Sequence, residues 1–153
     1  MSLDLKKQLI TQLVESSRFL RNYIDHRAKG RGTTRAQWIV LFRLREKEGL
    51  SQVDLADVLE LQPISLVRLL DRLVEHGLVE RRSDPRDRRA NRLFLTATGR
   101  QLADDLDSLR DAIAIDVLRG IPATAIETSL RTLREIKERI KTLAEPSDNV
   151  GAK

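Results

Sequence analysis

A proline-bent stretch between two alternating segments constrains the fold of this chain more than any other part of its sequence. Residues 78–98 read LVERRSDPRDRRANRLFLTAT, and apolar and polar residues alternate over 78–82 and 93–96. Alternation of this kind predicts strands, and the dipeptide formed by Asp84 and Pro85 favours a turn between them. The stretch therefore predicts an antiparallel β-hairpin with a long tip.

The predicted hairpin is strongly basic, and its positive charge comes only from arginine. Two aspartates and no lysine accompany the six arginines, which are Arg81, Arg82, Arg86, Arg88, Arg89 and Arg92. A guanidinium is planar and weakly hydrated, and it forms forked hydrogen bonds with phosphates and base edges. The hairpin suits contact with nucleic acid, but taken alone it also fits a solvated surface loop.

Two helices separated by a tight turn precede the hairpin. Ser51 and Asp54 form a predicted capping box, which starts a helix that runs to about Leu59. Pro63 suits the first turn of the next helix, which continues to His76 and is closed by Gly77. Two short helices joined in this way are typical of a helix-turn-helix, and with the hairpin they predict a winged helix.

The second of these helices has two distinct faces. Its leucines are expected to pack inward; they are Leu66, Leu69, Leu70 and Leu73. The outer face carries Pro63, Ile64, Ser65, Arg68 and Arg72. Such a stripe suits the major groove of DNA, where arginine can read guanine. The alternative is an exposed face with ion pairs, for example between Arg72 and Asp71 or Glu75.

Four further helices are predicted around this unit. They cover Leu3 to about His26, Arg35 to about Glu48 after a Thr34 N-cap, 97–119 after a cap at Thr96 or Thr98, and 123–145. The last helix has a nearly heptad apolar spacing. Together with the stripes of 97–119 and of the N-terminal helix, its stripe exceeds what a small winged helix can bury, which predicts a dimer interface. Packing of the two C-terminal helices within one chain remains the alternative.

The expected organisation is mainly α with a small β-hairpin. A winged helix-turn-helix DNA-binding domain covers 33–96. A discontinuous helical dimerisation region comprises 1–30 and 97–146, and 147–153 form a flexible tail.

Composition excludes several other classes of function. The net charge of +5 fits an anionic partner, and the lack of cysteine excludes disulfides and thiolate metal sites. His26 and His76 are isolated, and we find neither metal-ligand spacing nor a glycine-rich phosphate loop. No membrane span or secretory signal is evident. We expect a cytoplasmic, nucleoid-associated protein that is not an enzyme and has no cofactor, metal or membrane partner.

The segment 50–99, together with the helix order, resembles the MarR family of bacterial transcription regulators, especially its SlyA-like branch. Residues Asp84 to Gly99 match the D-x-R-D-R-R-x-x-x-L-x-L-T-x-x-G pattern of the family's wing. The resemblance implies a homodimer whose two winged helices read a pseudo-palindromic operator in double-stranded DNA. The oxidation-sensing mechanism of some members requires a cysteine, so it does not carry over.

The resemblance also assigns roles to single residues. The DNA-binding positions would be Pro63, Ile64, Ser65, Arg68, Arg72, Arg86, Arg88 and Arg89. Arg88 is the first choice for insertion into the minor groove, and Arg86 the second. Asp87 and Arg89 match positions that brace the wing in relatives, so Arg89 can also be structural.

A small phenolic or carboxylate effector that weakens DNA binding is a further implication. The residues expected near its cleft are Tyr23, Arg27 and Trp38, together with His26. Two of them have a simpler interpretation, since Arg27 can be an exposed cation at a helix end and Trp38 a core residue.

A rival from another class of function is a winged helix that contacts protein. In that case the region of Ile64 and Leu66 would dock a partner, and the wing would only confer solubility.

Overall fold

The computed structural model describes residues 2–144, apart from the side chain of Arg88. Within this range the elements follow in the order α1 (Leu3–Arg27), α2 (Arg35–Glu46), β1 (Leu50–Ser51), α3 (Gln52–Leu59), α4 (Pro63–Glu75), β2 (Val79–Asp84), β3 (Asp87–Leu95), α5 (Ala97–Val117) and α6 (Ala123–Ala144).

Local capping explains where these helices begin and end. Thr34 forms a full capping box with Gln37 at the start of α2, and Ser51 Oγ accepts the Asp54 N–H at 3.0 Å at the start of α3. Thr96 is the cap of α5, because its Oγ1 accepts the Gly99 N–H at 2.9 Å. Gly77 follows α4 with φ of 69°, a left-handed conformation that favours glycine. The structure thus confirms Thr34, Ser51, Thr96 and Gly77 at helix ends, and of the capping box predicted for Ser51 and Asp54 it shows the bond that Ser51 accepts.

The predicted end of α2 at Glu48 is wrong by two residues. Lys47 leaves the helical region with φ of −147° and ψ of 104°. The Gly49 N–H then donates to the Leu93 carbonyl at 2.8 Å, so the chain after α2 joins the sheet instead of extending the helix.

The sheet has the order β1-β3-β2 and is antiparallel throughout. The short strand β1 was not predicted. The long hairpin tip was predicted wrongly, because Asp84 pairs with Asp87 and leaves only Pro85 and Arg86 in the turn. The next pair of β3 is Asn91 with Ser83, so residues 88–90 form a bulge. The wing is thus a longer hairpin with a tight turn and an irregular second strand.

One hydrophobic core holds the winged helix together. Leu66, Leu70 and Leu73 of α4 are buried as predicted, and Leu69 is half-buried against the same core. They meet residues of α2, the sheet and the first part of α5, including Leu41, Leu44, Leu93 and Leu106. The predicted fold class, mainly α with a winged helix-turn-helix, is confirmed.

Contacts within the chain divide it into two compact units after Ile113, inside α5. The second unit contains the end of α5 and the whole of α6, and no residue of α6 is buried. The predicted tail, 147–153, lies outside the described residues. The predicted partition into a dimerisation region and a DNA-binding domain remains a prediction.

Candidate nucleic-acid interface

The outer face of α4 carries the side chains that the sequence predicted there. Pro63, Ile64, Ser65, Arg68 and Arg72 are all exposed. They are exposed because the leucines of the opposite face occupy the core, and the 3.6-residue repeat leaves this stripe outside. A hydroxyl, an apolar group and two guanidinium groups therefore lie along one side of a helix.

Asx-type hydrogen bonds shape the turn of the wing. Asp84 Oδ1 accepts the backbone N–H of Arg86, and Asp87 Oδ1 accepts that of Arg89, both at 2.9 Å. The side chains of Arg86 and Arg89 are exposed. The bond between Asp87 and Arg89 uses the Arg89 backbone, which leaves its guanidinium for other contacts.

Arg88, the first choice for insertion into the minor groove, lies within the bulge of β3 by its backbone. Its side chain lies outside the described part of the structure, so its role remains a prediction.

The three other arginines of the hairpin form contacts inside the protein. Arg81 donates to Gln52 of α3 and Asp71 of α4, over 3.1 and 2.6 Å. The sequence did not predict these contacts, because Gln52 and Asp71 lie 29 and 10 positions from Arg81 and no local pattern connects them. Asp71 therefore pairs with Arg81, whereas the sequence offered Arg72 as its partner.

Arg82 and Arg92 are held along the hairpin itself. Arg82 pairs with Glu80 of the same strand, and its guanidinium lies 4.0 Å from the centre of the Phe94 ring. Arg92 Nε lies 3.1 Å from Asp84 Oδ2. The hydrogen bond from the Arg86 backbone, followed by that from the Arg92 side chain, lowers the pKa of Asp84 below its ordinary value.

The three residues predicted near an effector do not form one cluster. Arg27 Nη1 donates to Tyr23 Oη at 2.7 Å, and its guanidinium also lies over the tyrosine ring. Trp38 is only 6% exposed, and its Nε1–H donates to Thr33 Oγ1 at 2.6 Å. It is a core residue, but it also lines an open cleft of about 790 Å³ at the α1–α2 junction. Tyr23 and Arg27 are not among the described residues that line this cleft.

The described residues contain no group of three or more histidine, cysteine or acidic side chains that could hold a metal ion. Among the helices of residues 2–144, none is long and apolar enough to cross a membrane.

Comparisons with known proteins agree with this geometry. The sequence model of the MarR family matches residues 33–90, which cover the winged helix from the start of α2 into β3. A MarR-family transcriptional regulator from Rhodococcus sp. RHA1 is 30% identical with a TM-score of 0.75, over 88% of this chain and 96% of that chain. A MarR transcriptional regulator from Methanosarcina mazei Go1 is 26% identical with a TM-score of 0.73, over 87% and 99%.

A third structure shares the fold at lower identity. It is a mutant MarR from E. coli complexed with operator DNA, 24% identical with a TM-score of 0.76, over 89% of this chain and 99% of that chain. The chain is 30% identical to the Rhodococcus protein over 96% of that protein, and the family model matches most of its winged helix. The chain therefore belongs to the MarR family of transcriptional regulators.

Proposed function

We propose that this chain binds double-stranded DNA as a homodimer and regulates transcription, as a repressor or an activator. The observation that carries the proposal is the exposed stripe of Ser65, Arg68 and Arg72 on α4, followed by a hairpin whose turn exposes Arg86. The E. coli MarR structure with operator DNA supports the same use of this fold.

The two elements have different tasks in this proposal. The α4 stripe enters the major groove, where Arg68 and Arg72 can donate two hydrogen bonds to guanine and Ile64 can contact a thymine methyl group. The arginines of the wing, foremost Arg88 and Arg86, enter the flanking minor groove, with Arg89 beside them. The wing supplies most of the salt-dependent affinity, and α4 selects the sequence.

The apolar surfaces of the terminal helices support a homodimer. In α6, Leu130, Leu133, Ile140 and Leu143 are exposed, and α1 also exposes leucines along its length. An amphipathic helix is stable in water when another surface covers its apolar face. We propose that a second copy provides that cover, through the dimerisation region 1–30 and 97–146.

A homodimer implies a symmetric DNA site. Two copies of α4 would read half-sites of a pseudo-palindrome, roughly 34 to 36 Å apart, or about one helical turn. Selection of bound fragments from random DNA tests the proposal directly. We expect an inverted repeat with this spacing, and a selection that yields no enriched sequence would contradict it.

The rival function, protein contact through the helix-turn-helix, has less structural support. It requires Ile64 and Leu66 on the same surface, but Leu66 is only 1% exposed. Ile64 alone is available, being 68% exposed. Failure of the protein to retard any genomic DNA fragment at moderate salt would favour this rival.

Release from the operator by a small phenolic or carboxylate ligand is a separate proposal. The cleft beside Trp38 supports it, because it is large enough for such a compound and its lining includes the exposed cation Lys29. Calorimetry with salicylate tests it, and we expect measurable heat together with loss of operator binding. Absence of both would contradict the proposal.

A place in the SlyA-like branch is the last part of the proposal. Its support is the resemblance of the segment 50–99 to that branch, since the wing motif from Asp84 to Gly99 belongs to the whole family. We propose no catalytic activity.

A further inference from the structure

Arg81 connects three elements of the winged helix. It lies on β2, its Nε donates to Gln52 Oε1 of α3 at 3.1 Å, and its Nη2 lies 2.6 Å from Asp71 Oδ1 of α4. The side chain of Arg81 is only 25% exposed, whereas that of Asp71 is 59% exposed. One guanidinium therefore links the wing strand to α3 and to the helix proposed to read DNA.

The position of Asp71 on α4 indicates why this contact matters for DNA binding. Asp71 lies on α4 next to Arg72 and three residues after Arg68. An acidic side chain beside a surface that meets phosphates weakens DNA binding by repulsion. The geometry gives it a compensating task, which is to hold Arg81.

We infer that Arg81 and Asp71 are positioning residues, which fix the angle between the wing and α4 so that both reach DNA in one register. The inference rests on the proposed function, and it gives the two residues no contact with DNA. Arg81 thereby differs from Arg86 and Arg88, although all three belong to the same basic hairpin.

The test uses the effect of removing a negative charge. In Asp71→Ala, simple electrostatics predicts tighter DNA binding, whereas loss of the brace predicts weaker binding. Fluorescence anisotropy with the selected operator should show a loss of roughly fivefold, the upper range for an exposed ion pair. Arg81→Met should show at least this loss, because it also removes the bond to Gln52, and the double variant should be no weaker than Arg81→Met.

Glu80→Ala is the matched control. It also removes a partly exposed carboxylate from an ion pair of the hairpin, but its partner Arg82 lies on the same strand, so every link between elements stays in place. We expect unchanged or slightly tighter binding. Tighter binding by Asp71→Ala, equal to that of the control, would overturn the inference.

Two further readouts separate positioning from direct contact and from loss of stability. The dependence of binding on salt should stay nearly constant in Arg81→Met, because the slope falls by roughly 0.9 only for each phosphate that the protein no longer neutralises. Arg86→Ala should also cost less in the Asp71→Ala background, since a displaced wing no longer places Arg86 in its groove. A reduced slope in Arg81→Met, or strict additivity with Arg86→Ala, would contradict the inference.

Hydrogen exchange on the free protein tests whether Arg81 holds the wing in place, independently of whether the protein binds DNA. In Arg81→Met we expect faster exchange of the β2 and β3 amides, with the α5 amides unchanged. If the unaltered protein binds no DNA, the proposed function fails, and with it the DNA-positioning role. Faster wing exchange would then leave Arg81 as a brace of the hairpin alone. Unchanged exchange would overturn the brace itself.

Discussion

Asp84 Oδ2 accepts a hydrogen bond from Arg92 Nε at 3.1 Å, and this bond joins the last residue of β2 to β3. The other oxygen of the same carboxylate accepts the Arg86 N–H at 2.9 Å. A single ionised side chain therefore closes the turn and ties its two strands together.

The wing should consequently loosen at acidic pH. The pKa of Asp84 is lowered in the folded chain, so the stability it contributes is present above its ordinary pKa of 3.8 and is lost as pH falls through the lower folded value. We expect NMR signals of the wing amides to change in this acidic range before the helices unfold. In Asp84→Asn the same amides should show no such transition, and a transition that persists would exclude Asp84 as its source.

Arginines near the turn should control the dependence of binding on salt. We expect Arg88→Ala and Arg86→Ala to weaken binding to all DNA sequences and to lower the salt slope by roughly 0.9 for each phosphate left without its arginine. Anisotropy titrations over a range of salt concentrations measure both effects. Arg43→Ala, which removes a partly exposed arginine of α2, is the control and should leave the slope unchanged.

Arg68 should determine base preference. Arg68→Ala removes a guanidinium from the exposed stripe of α4, and without its two hydrogen bonds to guanine the discrimination should relax by about 1–3 kcal/mol at the affected base pair. Competition between operators with single base changes measures this preference. Equal discrimination by the unaltered and variant proteins would show that Arg68 does not read a base.

Ile64 should recognise thymine by its methyl group. Deoxyuridine lacks this methyl group. Replacing the contacted thymidine with deoxyuridine should therefore weaken binding by roughly 0.8 kcal/mol, the value for burying one methylene group. The Ile64→Ala variant should bind thymine and deoxyuridine operators alike. An equal penalty for both proteins would place the methyl contact elsewhere.

Gly99 should be essential for stability. A Cβ at this position would overlap the backbone carbonyl oxygen of Leu78, which cannot move without shifting the start of β2. Overpacking of this kind costs about 1–3 kcal/mol. We expect Gly99→Ala to lower the melting temperature, whereas Thr98→Ala, at an exposed neighbouring position, should have little effect in the same thermal unfolding experiment.

The apolar face of α6 should mediate dimerisation. We expect Leu133→Glu to convert the protein into monomers in sedimentation equilibrium and to reduce operator affinity, since two half-sites would no longer be linked. Arg131→Glu introduces the same side chain on the polar face of the helix and should leave the dimer intact. A dimeric Leu133→Glu variant would assign the interface to other residues.

Local rules predicted much of this fold because the relevant signals lie close together in the sequence. Ser51, Pro63 and Gly77 mark helix ends through bonds or dihedral angles within a few residues. The leucine spacing of α4 likewise determined which face is buried. The strand β1 was missed because two residues show no periodicity, and it exists only by pairing with β3.

The candidate site was less predictable for the same reason. The composition of the hairpin showed that it is basic, but it could not show which arginines form contacts inside the protein. Arg81 depends on Asp71 and Gln52, which are distant in sequence and meet only in the folded chain. Pairing of Asp84 with Asp87 also extended the strands into the predicted loop, against the local signal of proline.

Trp38, whose indole N–H donates to Thr33 Oγ1, can serve as an intrinsic fluorescent probe of the cleft that it lines. Trp38 is the only tryptophan of the chain, and it combines a buried ring with a position on the wall of the α1–α2 cleft. A compound that enters this cleft changes the polarity around the indole or competes for Thr33. Intrinsic fluorescence can thus follow occupancy of the cleft without a label, while a labelled operator reports DNA release in the same sample.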